Sequence, residues 1–209
     1  MLQFPLPQCA RIRFYWDGAS LQAHAEAMGD LSLNWLDFPA LVRAGGLEGR
    51  HVWFAPTRPQ DRADREMLGA YEKALGALGV ERRAAAGHGA DIECLRCGHG
   101  WREARAPSSL TLALTVLADA MADAYDAAFV FAPPDVTGAL DEILAPLFPH
   151  KRPGRVIFGR ARRQRPSGPV FALSGDQVAA ARLSLPDPGR RTRPLSPKLI
   201  QPAAVEASP

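Results

Sequence analysis

Short β-prone segments alternate along this chain with segments of helical pattern, and this alternation constrains the fold more than any other feature. The β-prone segments cover residues 11–16, 51–55, 80–86, 126–132 and 155–158. The helical segments between and after them cover residues 20–28, 35–42, 61–78, 110–125 and 136–147. Strands that are connected through helices pair in parallel, with helices on both faces of the sheet. The sequence therefore predicts a three-layer α/β/α domain around a mostly parallel sheet.

Two of the predicted helices differ in their apolar pattern. Segment 61–78 carries its apolar side chains on one stripe and its charges on the other side, which is typical of an amphipathic helix. Segment 110–125 is apolar nearly all round as far as Asp119, so it predicts a helix that is largely buried.

Length and composition limit the domain count. A chain of 209 residues, 47% of them hydrophobic, is long enough for one well-packed domain and short for two. We expect that domain to cover residues 1–183, and the proline-rich stretch 184–209 to be an extended tail. No apolar run approaches the roughly 20 residues that cross a bilayer, and the first residues lack the pattern of a secretory signal. These features predict a cytoplasmic protein.

Basic residues are concentrated in one part of the chain although the total charge is small. The 25 Lys and Arg residues against 22 Asp and Glu give a net charge of only +3. Seven basic residues and no acidic one occur between positions 151 and 165: Lys151, Arg152, Arg155, Arg160, Arg162, Arg163 and Arg165. Such a cluster suits the phosphate backbone of a nucleic acid, and it equally suits a solvated surface in an arginine-rich chain.

The first predicted strand ends in an acidic residue, Asp17, followed by Gly18. In parallel α/β sheets, ligands bind where the strands end, so Asp17 is the best single candidate for a functional residue. The alternative is local: the carboxylate caps the helix that follows, and Asp17-Gly18 is turn chemistry.

Several segments together resemble one protein family. Tyr15-Trp16-Asp17-Gly18-Ala19-Ser20-Leu21 is similar to the opening Asp-Gly-x-Asn-Leu motif of NYN-domain proteins, bacterial relatives of the PIN-like ribonucleases. Further segments agree in order and spacing: Asn34-Trp35-Leu36-Asp37, Cys94-Leu95-Arg96-Cys97-Gly98-His99-Gly100-Trp101, Leu117-Ala118-Asp119-Ala120, Tyr125-Asp126-Ala127-Ala128 and Leu185-Pro186-Asp187-Pro188. The Cys-x-x-Cys element places the resemblance in one subgroup of the family.

The resemblance implies RNA cleavage by a divalent metal, Mg²⁺ or Mn²⁺, held between several carboxylates. Asp17 matches the first of those acids, while Ser20 replaces a neighbouring Asn. The remaining acidic positions of the family fall near Ser109 or Leu110, on Pro134 and on Val136, none of which is a carboxylate. Asp119 and Asp135 are the nearest substitutes, with Asp123 a further one.

Three functions follow from these observations. The first is an RNA-binding NYN-type protein whose nuclease activity is degraded or lost, with Ser20, Arg155, Arg160, Arg162 and Arg163 contacting RNA. The second is an active metal-dependent ribonuclease in which substitute acids complete the site of Asp17. The third is an interaction scaffold in which Asp17 has no remaining catalytic role and the proline-rich tail binds a protein partner. A protein partner or a homo-oligomer is also among the expected assemblies.

The cysteines predict a separate metal site. Cys94 and Cys97 supply two thiolates on one knuckle, and His88 and His99 lie close enough in sequence to complete a tetrahedral Zn²⁺ site. The alternative is a pair of reduced thiols in a hairpin.

Overall fold

The computed structural model describes residues 11–56, 62–83, 91–93, 97, 100–102, 108–151, 153–158 and 169–183. The strands are β1 (Ile12–Asp17), β2 (Arg50–Phe54), β3 (Glu81–Arg83), β4 (Asp91–Glu93), β5 (Gly100–Arg102), β6 (Ala127–Phe131), β7 (Pro153–Phe158) and β8 (Val170–Leu173). The helices are α1 (Gly18–Met28), α2 (Phe38–Ala44), α3 (Arg62–Ala77), α4 (Ser108–Met121), α5 (Pro134–Leu147) and α6 (Gly175–Ala180), with a 3₁₀ turn at Leu31–Asn34. None of the helices in the described ranges has the length and apolar character needed to span a membrane.

Six strands form one parallel sheet in the order β3-β2-β1-β6-β7-β8. Trp16 of β1 lies opposite Trp53 of β2 on one side and Phe131 of β6 on the other. The chain moves outward in one direction from β1 to β3 and in the other from β6 to β8. The direction therefore reverses between β1 and β6, which is where ligands bind in sheets of this kind.

Helices cover both faces of this sheet, and the predicted three-layer α/β/α fold is confirmed. Along β1, Phe14 and Trp16 point into the core beneath α1, α2, α3 and α6, because alternate residues of a strand face opposite sides. Tyr15 points into a second core beneath α4 and α5. All three aromatic side chains are fully buried.

The predicted burial of segment 110–125 is wrong. The helix there is α4, and one side of it packs on the sheet through Leu112, Val116 and other buried residues. Leu110 and Leu114 on its outer side are 48% and 58% exposed. An apolar pattern does not distinguish a helix that is covered all round from one with an uncovered apolar face.

Other boundaries differ in smaller ways. The strand β8 and the helix α6 have no counterpart among the predicted elements. The fifth predicted helix begins at Pro134 rather than at residue 136, because proline is well suited to the first turn of a helix. The antiparallel pair β4 and β5, in which Glu93 lies opposite Gly100, encloses residues 94–99 and forms a hairpin outside the main sheet.

Candidate functional site

Asp17 lies at the last position of β1, at the edge of the sheet where the parallel strands end, which we call the carboxyl edge. The residue is 1% exposed and forms the N-cap of α1. Gly18 is required beside it because a Cβ atom there would lie 2.6 Å from the Phe54 carbonyl oxygen and 2.7 Å from Cδ of Pro56. The Asp-Gly pair thus lets the chain turn into α1 while it packs closely against the end of β2.

Both carboxylate oxygens of Asp17 accept hydrogen bonds from serines. Oδ2 accepts from the Ser20 hydroxyl at 2.5 Å and from the Ser20 backbone N–H at 3.3 Å. Oδ1 accepts from the hydroxyl of Ser108, a buried residue at the first position of α4. The capping interaction that the sequence left as an alternative is therefore present. The second helix that reaches Asp17, α4, therefore contributes the neutral hydroxyl of Ser108 and not a carboxylate.

Asp119 lies far from Asp17. Its Oδ2 accepts from Arg13 Nη1 at 2.5 Å and from the Tyr15 hydroxyl at 2.7 Å, near the start of β1. The helix α4 runs antiparallel to β1, and Asp119 follows Ser108 by 11 residues, or about 16 Å along the helix axis. Burial, and the hydrogen bond to Asp119, raise the pKa of Tyr15 far above its usual range. Asp119 is thus an ion-paired, structural residue and does not meet Asp17.

Asp135 lies at the carboxyl edge. It is exposed in the first turn of α5, and β6 leads into that helix in parallel with β1. Within the described parts of the chain, no three His, Cys, Asp or Glu side chains are grouped so that they could hold a metal ion.

Asp123 and Lys151 belong to an ion-pair cluster at the opposite edge of the sheet. Lys151 is 3% exposed, and its Nζ donates to Asp123 and, at 2.6 Å, to the carbonyl oxygen of Tyr125. Arg11 pairs with Asp123 and with Asp126, and the hydrogen bonds that the side chain and backbone N–H of Arg11 donate to Asp126 lower the pKa of Asp126 to about 2. The sequence interpretation of Lys151 as part of a phosphate-binding cluster is wrong, because its ammonium group is buried and paired.

Arg155 lies within β7 and is only partly exposed. Its Nη2 donates to Asp141 of α5 at 3.3 Å, and its side chain is 28% exposed. The other arginines predicted to contact RNA, Arg160, Arg162 and Arg163, lie outside the described residues. Of the predicted zinc ligands, Cys97 is described, with an exposed thiol. Cys94, His88 and His99 lie outside the described residues.

Three aromatic side chains at the carboxyl edge were missed by the sequence interpretation. His24 of α1 stacks on Phe158, with ring centroids 5.1 Å apart and an interplanar angle of 23°. Phe131 lies 5.0 Å from Phe158 and 6.2 Å from His24. Phe131 and Phe158 are the last residues of adjacent strands, and that shared position is the signal by which the sequence could have revealed the cluster. All three rings are partly exposed.

A pocket of about 350 Å³ lies on the same side of the sheet, between α1 and α3. Its walls include three aromatic side chains, Trp35, Trp53 and Tyr71, together with the acidic residues Glu26 and Asp64. A pocket of this size and lining suits a flat, largely apolar group.

His51 of β2 is a buried histidine without a functional contact. It lies 6% exposed against Phe14 and Trp16, and the Trp16 indole N–H donates to its Nδ1 at 3.3 Å. Burial, with a smaller contribution from the charge of Arg43, lowers the pKa of His51 to about 4. The imidazole is therefore neutral at physiological pH and serves packing.

Comparison of the chain with protein-family models, with curated proteins and with solved structures gives no match. The fold and the site together define a class of protein. It is a three-layer α/β/α protein with a six-stranded parallel sheet, and a buried carboxylate that accepts hydrogen bonds from two serines lies where the order of the strands reverses.

Proposed function

We propose that this protein is an RNA-binding, NYN-type (PIN-like) protein whose metal-dependent nuclease activity has been lost. The observation that carries the proposal is the environment of Asp17. This acid, which matches the family motif, is buried. Its two carboxylate oxygens accept hydrogen bonds from the hydroxyl groups of Ser20 and Ser108.

A nuclease site of this kind requires several carboxylates around one point, because Mg²⁺ and Mn²⁺ prefer charged oxygen ligands. Ser108 approaches Asp17 from the first position of α4, next to the position near Ser109 or Leu110 where the resemblance implies an acid, and it supplies a hydroxyl rather than a second carboxylate. Asp119 is held by Arg13 at the opposite edge of the sheet, near the start of β1. A metal ion bound to Asp17 alone would retain most of its water, so that neither the attacking water nor the phosphate would be well oriented.

The RNA-binding part of the proposal rests on the position of β7. This strand is parallel to β1 and β6, so the chain leaves it at the carboxyl edge, and Arg160, Arg162 and Arg163 follow Phe158 within five residues. Arginines this close in sequence to Phe158 would supply cations for phosphates, while the partly exposed ring of Phe158 could stack with an unpaired base. Single-stranded RNA is therefore the expected ligand.

The loss of nuclease activity is tested with purified full-length protein and single-stranded RNA in the presence of Mn²⁺. We expect no cleavage above that of the Asp17→Asn variant. Cleavage by the wild type that Asp17→Asn abolishes would refute the proposal and favour the active ribonuclease. In that case, loss of cleavage in the single variant Asp135→Asn would identify Asp135 as the substitute acid, since Asp135 lies exposed at the same edge of the sheet.

RNA binding is tested by fluorescence anisotropy over a range of salt concentration. Removing Arg160 and Arg162 should weaken binding and reduce the slope of log K against log salt by about 1.4, since each phosphate contact on a single strand contributes about 0.7. The matched control removes Arg43 and Arg50, which are exposed and lie at the opposite edge of the sheet. Equal losses in both double variants, or binding that does not change with salt, would contradict a phosphate-binding site at the carboxyl edge.

We also propose Zn²⁺ at Cys94 and Cys97. The antiparallel pairing of β4 and β5 brings the two ends of segment 94–99 together, as a zinc knuckle requires. Mass spectrometry of protein purified without a His tag should find near-stoichiometric zinc, which Cys97→Ser should remove. A metal-free wild type would favour reduced thiols.

A further inference from the structure

The pocket between α1 and α3 is lined by two buried aromatic rings and one that is partly exposed. Trp53 and Tyr71 are 2% and 1% exposed, and their rings meet edge to face with centroids 5.5 Å apart. Trp35 meets Tyr71 in the same way at 5.3 Å and is partly exposed. The Tyr71 hydroxyl donates to the carbonyl oxygen of Leu36 at 2.8 Å, which fixes its ring. The pocket is therefore a preformed recess with an accessible indole in its wall.

The charged residues among the described lining of this pocket are both acidic. They are Glu26 of α1 and Asp64 of α3, and both are exposed. Glu26 accepts a hydrogen bond at 3.2 Å from Gln22, one turn earlier on the same helix. Two carboxylates beside an apolar recess favour a group that combines an apolar part with positive charge.

The described part of the chain ends beside this pocket. Leu36 and Arg182 form an antiparallel bridge, and the backbone N–H of Leu183 donates to the carbonyl oxygen of Trp35 at 2.8 Å. Paired antiparallel segments run in opposite directions, so a chain that continues the direction of residues 182–183 passes Asn34, which also lines the pocket. The residues that follow Leu183 therefore start next to the recess.

Those residues have chemistry complementary to the pocket. Residues 184–193, which we call the tail segment, contain three arginines, two prolines and one acidic residue. Leu185 and Pro186 supply apolar groups close to its start. Proline-rich segments bind to aromatic side chains, and arginine pairs with carboxylates. Arg190 is seven residues beyond Leu183 and can lie up to about 25 Å from it, roughly the combined width of two helices.

We propose that the tail segment binds in this pocket of its own chain. Leu185 and Pro186 pack against Trp35. Arg190 and Arg191 lie beside the two carboxylates. Covalent attachment favours the tail segment over a separate peptide or a small molecule, because a group on a short tether has an effective concentration in the millimolar range at a neighbouring site.

The test is limited digestion of the full chain by trypsin, followed by mass spectrometry. Trypsin can cut the tail after Arg190 and Arg191, within the tail segment, and after Lys198, outside it. Bound residues are cut only when they are released, so the rate reports the released fraction. We expect Leu185→Ser to accelerate cleavage after the two arginines at least tenfold, because it removes a buried leucine side chain. Leu195→Ser is the matched control and should change nothing.

A second pair of variants tests the carboxylates. Glu26→Gln with Asp64→Asn should accelerate the same cleavage about fivefold, the effect of losing two exposed ion pairs. The matched control is Asp135→Asn with Glu142→Gln. It also combines a first-turn aspartate with an exposed glutamate, but on α5, across the sheet. This control should digest as the wild type does, and cleavage after Lys198 should stay constant throughout.

Four results would each overturn the proposal. The first is a wild type that is cut after Arg190 and Arg191 as fast as Leu185→Ser. The second is an equal acceleration by Leu195→Ser or by the α5 control. The third is protection that survives the loss of both pocket carboxylates, since another surface would then hold the tail segment. The fourth is protection that rises with protein concentration, because the tail of a second copy would then fill the pocket.

Discussion

Replacing Ser108 by alanine should destabilise the protein more than replacing Ser20, although both serines donate to the same carboxylate. Within the described structure, Oδ1 of Asp17 has Ser108 as its donor, whereas Oδ2 has two donors, the hydroxyl and the backbone N–H of Ser20. Ser20→Ala leaves the backbone donor in place. Ser108→Ala leaves one oxygen of a charged group that is 1% exposed without a hydrogen bond.

The expected magnitudes follow from the cost of an unsatisfied buried group. Loss of a hydrogen bond that leaves a buried acceptor unpaired costs about 1 to 3 kcal/mol, with charged groups at the upper end. We therefore expect Ser108→Ala to lower the free energy of unfolding by about 3 kcal/mol and Ser20→Ala by about 1 kcal/mol. Urea denaturation near neutral pH, with unchanged m-values, measures both. Equal losses, or a smaller loss for Ser108→Ala, would refute the account of how Asp17 is held in the core.

Three further predictions concern the same region and its surroundings. Ser108→Asp should destabilise the protein by about 3 kcal/mol in the presence of a chelator, because it buries a second negative charge beside Asp17; millimolar Mn²⁺ should restore the melting temperature, and no recovery would show that this position cannot ligate a metal. Gly18→Ala should lower the free energy of unfolding by at least about 2 kcal/mol in the same denaturation assay, because the added Cβ would lie 2.6 Å from the carbonyl oxygen of Phe54; a loss below about 0.5 kcal/mol would contradict that close approach. His51 should make the protein less stable in acid: its pKa is about 4 in the folded state and about 6.5 when unfolded, so stability is complete above about pH 6.5 and falls as the pH is lowered toward 4, by about 3 kcal/mol in all. Urea titrations of wild type and His51→Phe across this range check it, and parallel curves would contradict it.

The residue pattern was sufficient to predict the layers of the fold but not every element in them. Strands that have apolar side chains on both sides and are connected through helices form a parallel sheet, because helices on both faces then bury those side chains. The helix α6 escaped prediction because its six residues make fewer than two turns, too few for a helical period to be read. The strand β8 was missed although its four residues are all apolar. The apolar face of α4 was misassigned because composition does not say whether another element covers a helix.

The candidate site was also predictable only in part from the sequence. Position in the sequence was enough to select Asp17, because a residue directly after a first parallel strand must lie at the carboxyl edge. Its bond to Ser108 was not predictable, since those residues are 91 positions apart and only the antiparallel packing of α4 on β1 brings them together. Lys151 shows the converse: it belongs to a basic cluster in the sequence, yet the fold buries its ammonium group against Asp123 and Tyr125.

The sequence by itself determined the class of fold and the place where a functional residue would stand, because both depend on local periodicity and on chain direction. The tertiary structure decided which side chains meet. It gave Asp17 two hydroxyl partners rather than a second carboxylate, it gathered His24, Phe131 and Phe158 at one edge, and it left the apolar side of α4 uncovered. Contacts of this kind depend on how helices pack across a sheet, and the order of residues along one strand or one helix does not encode that packing.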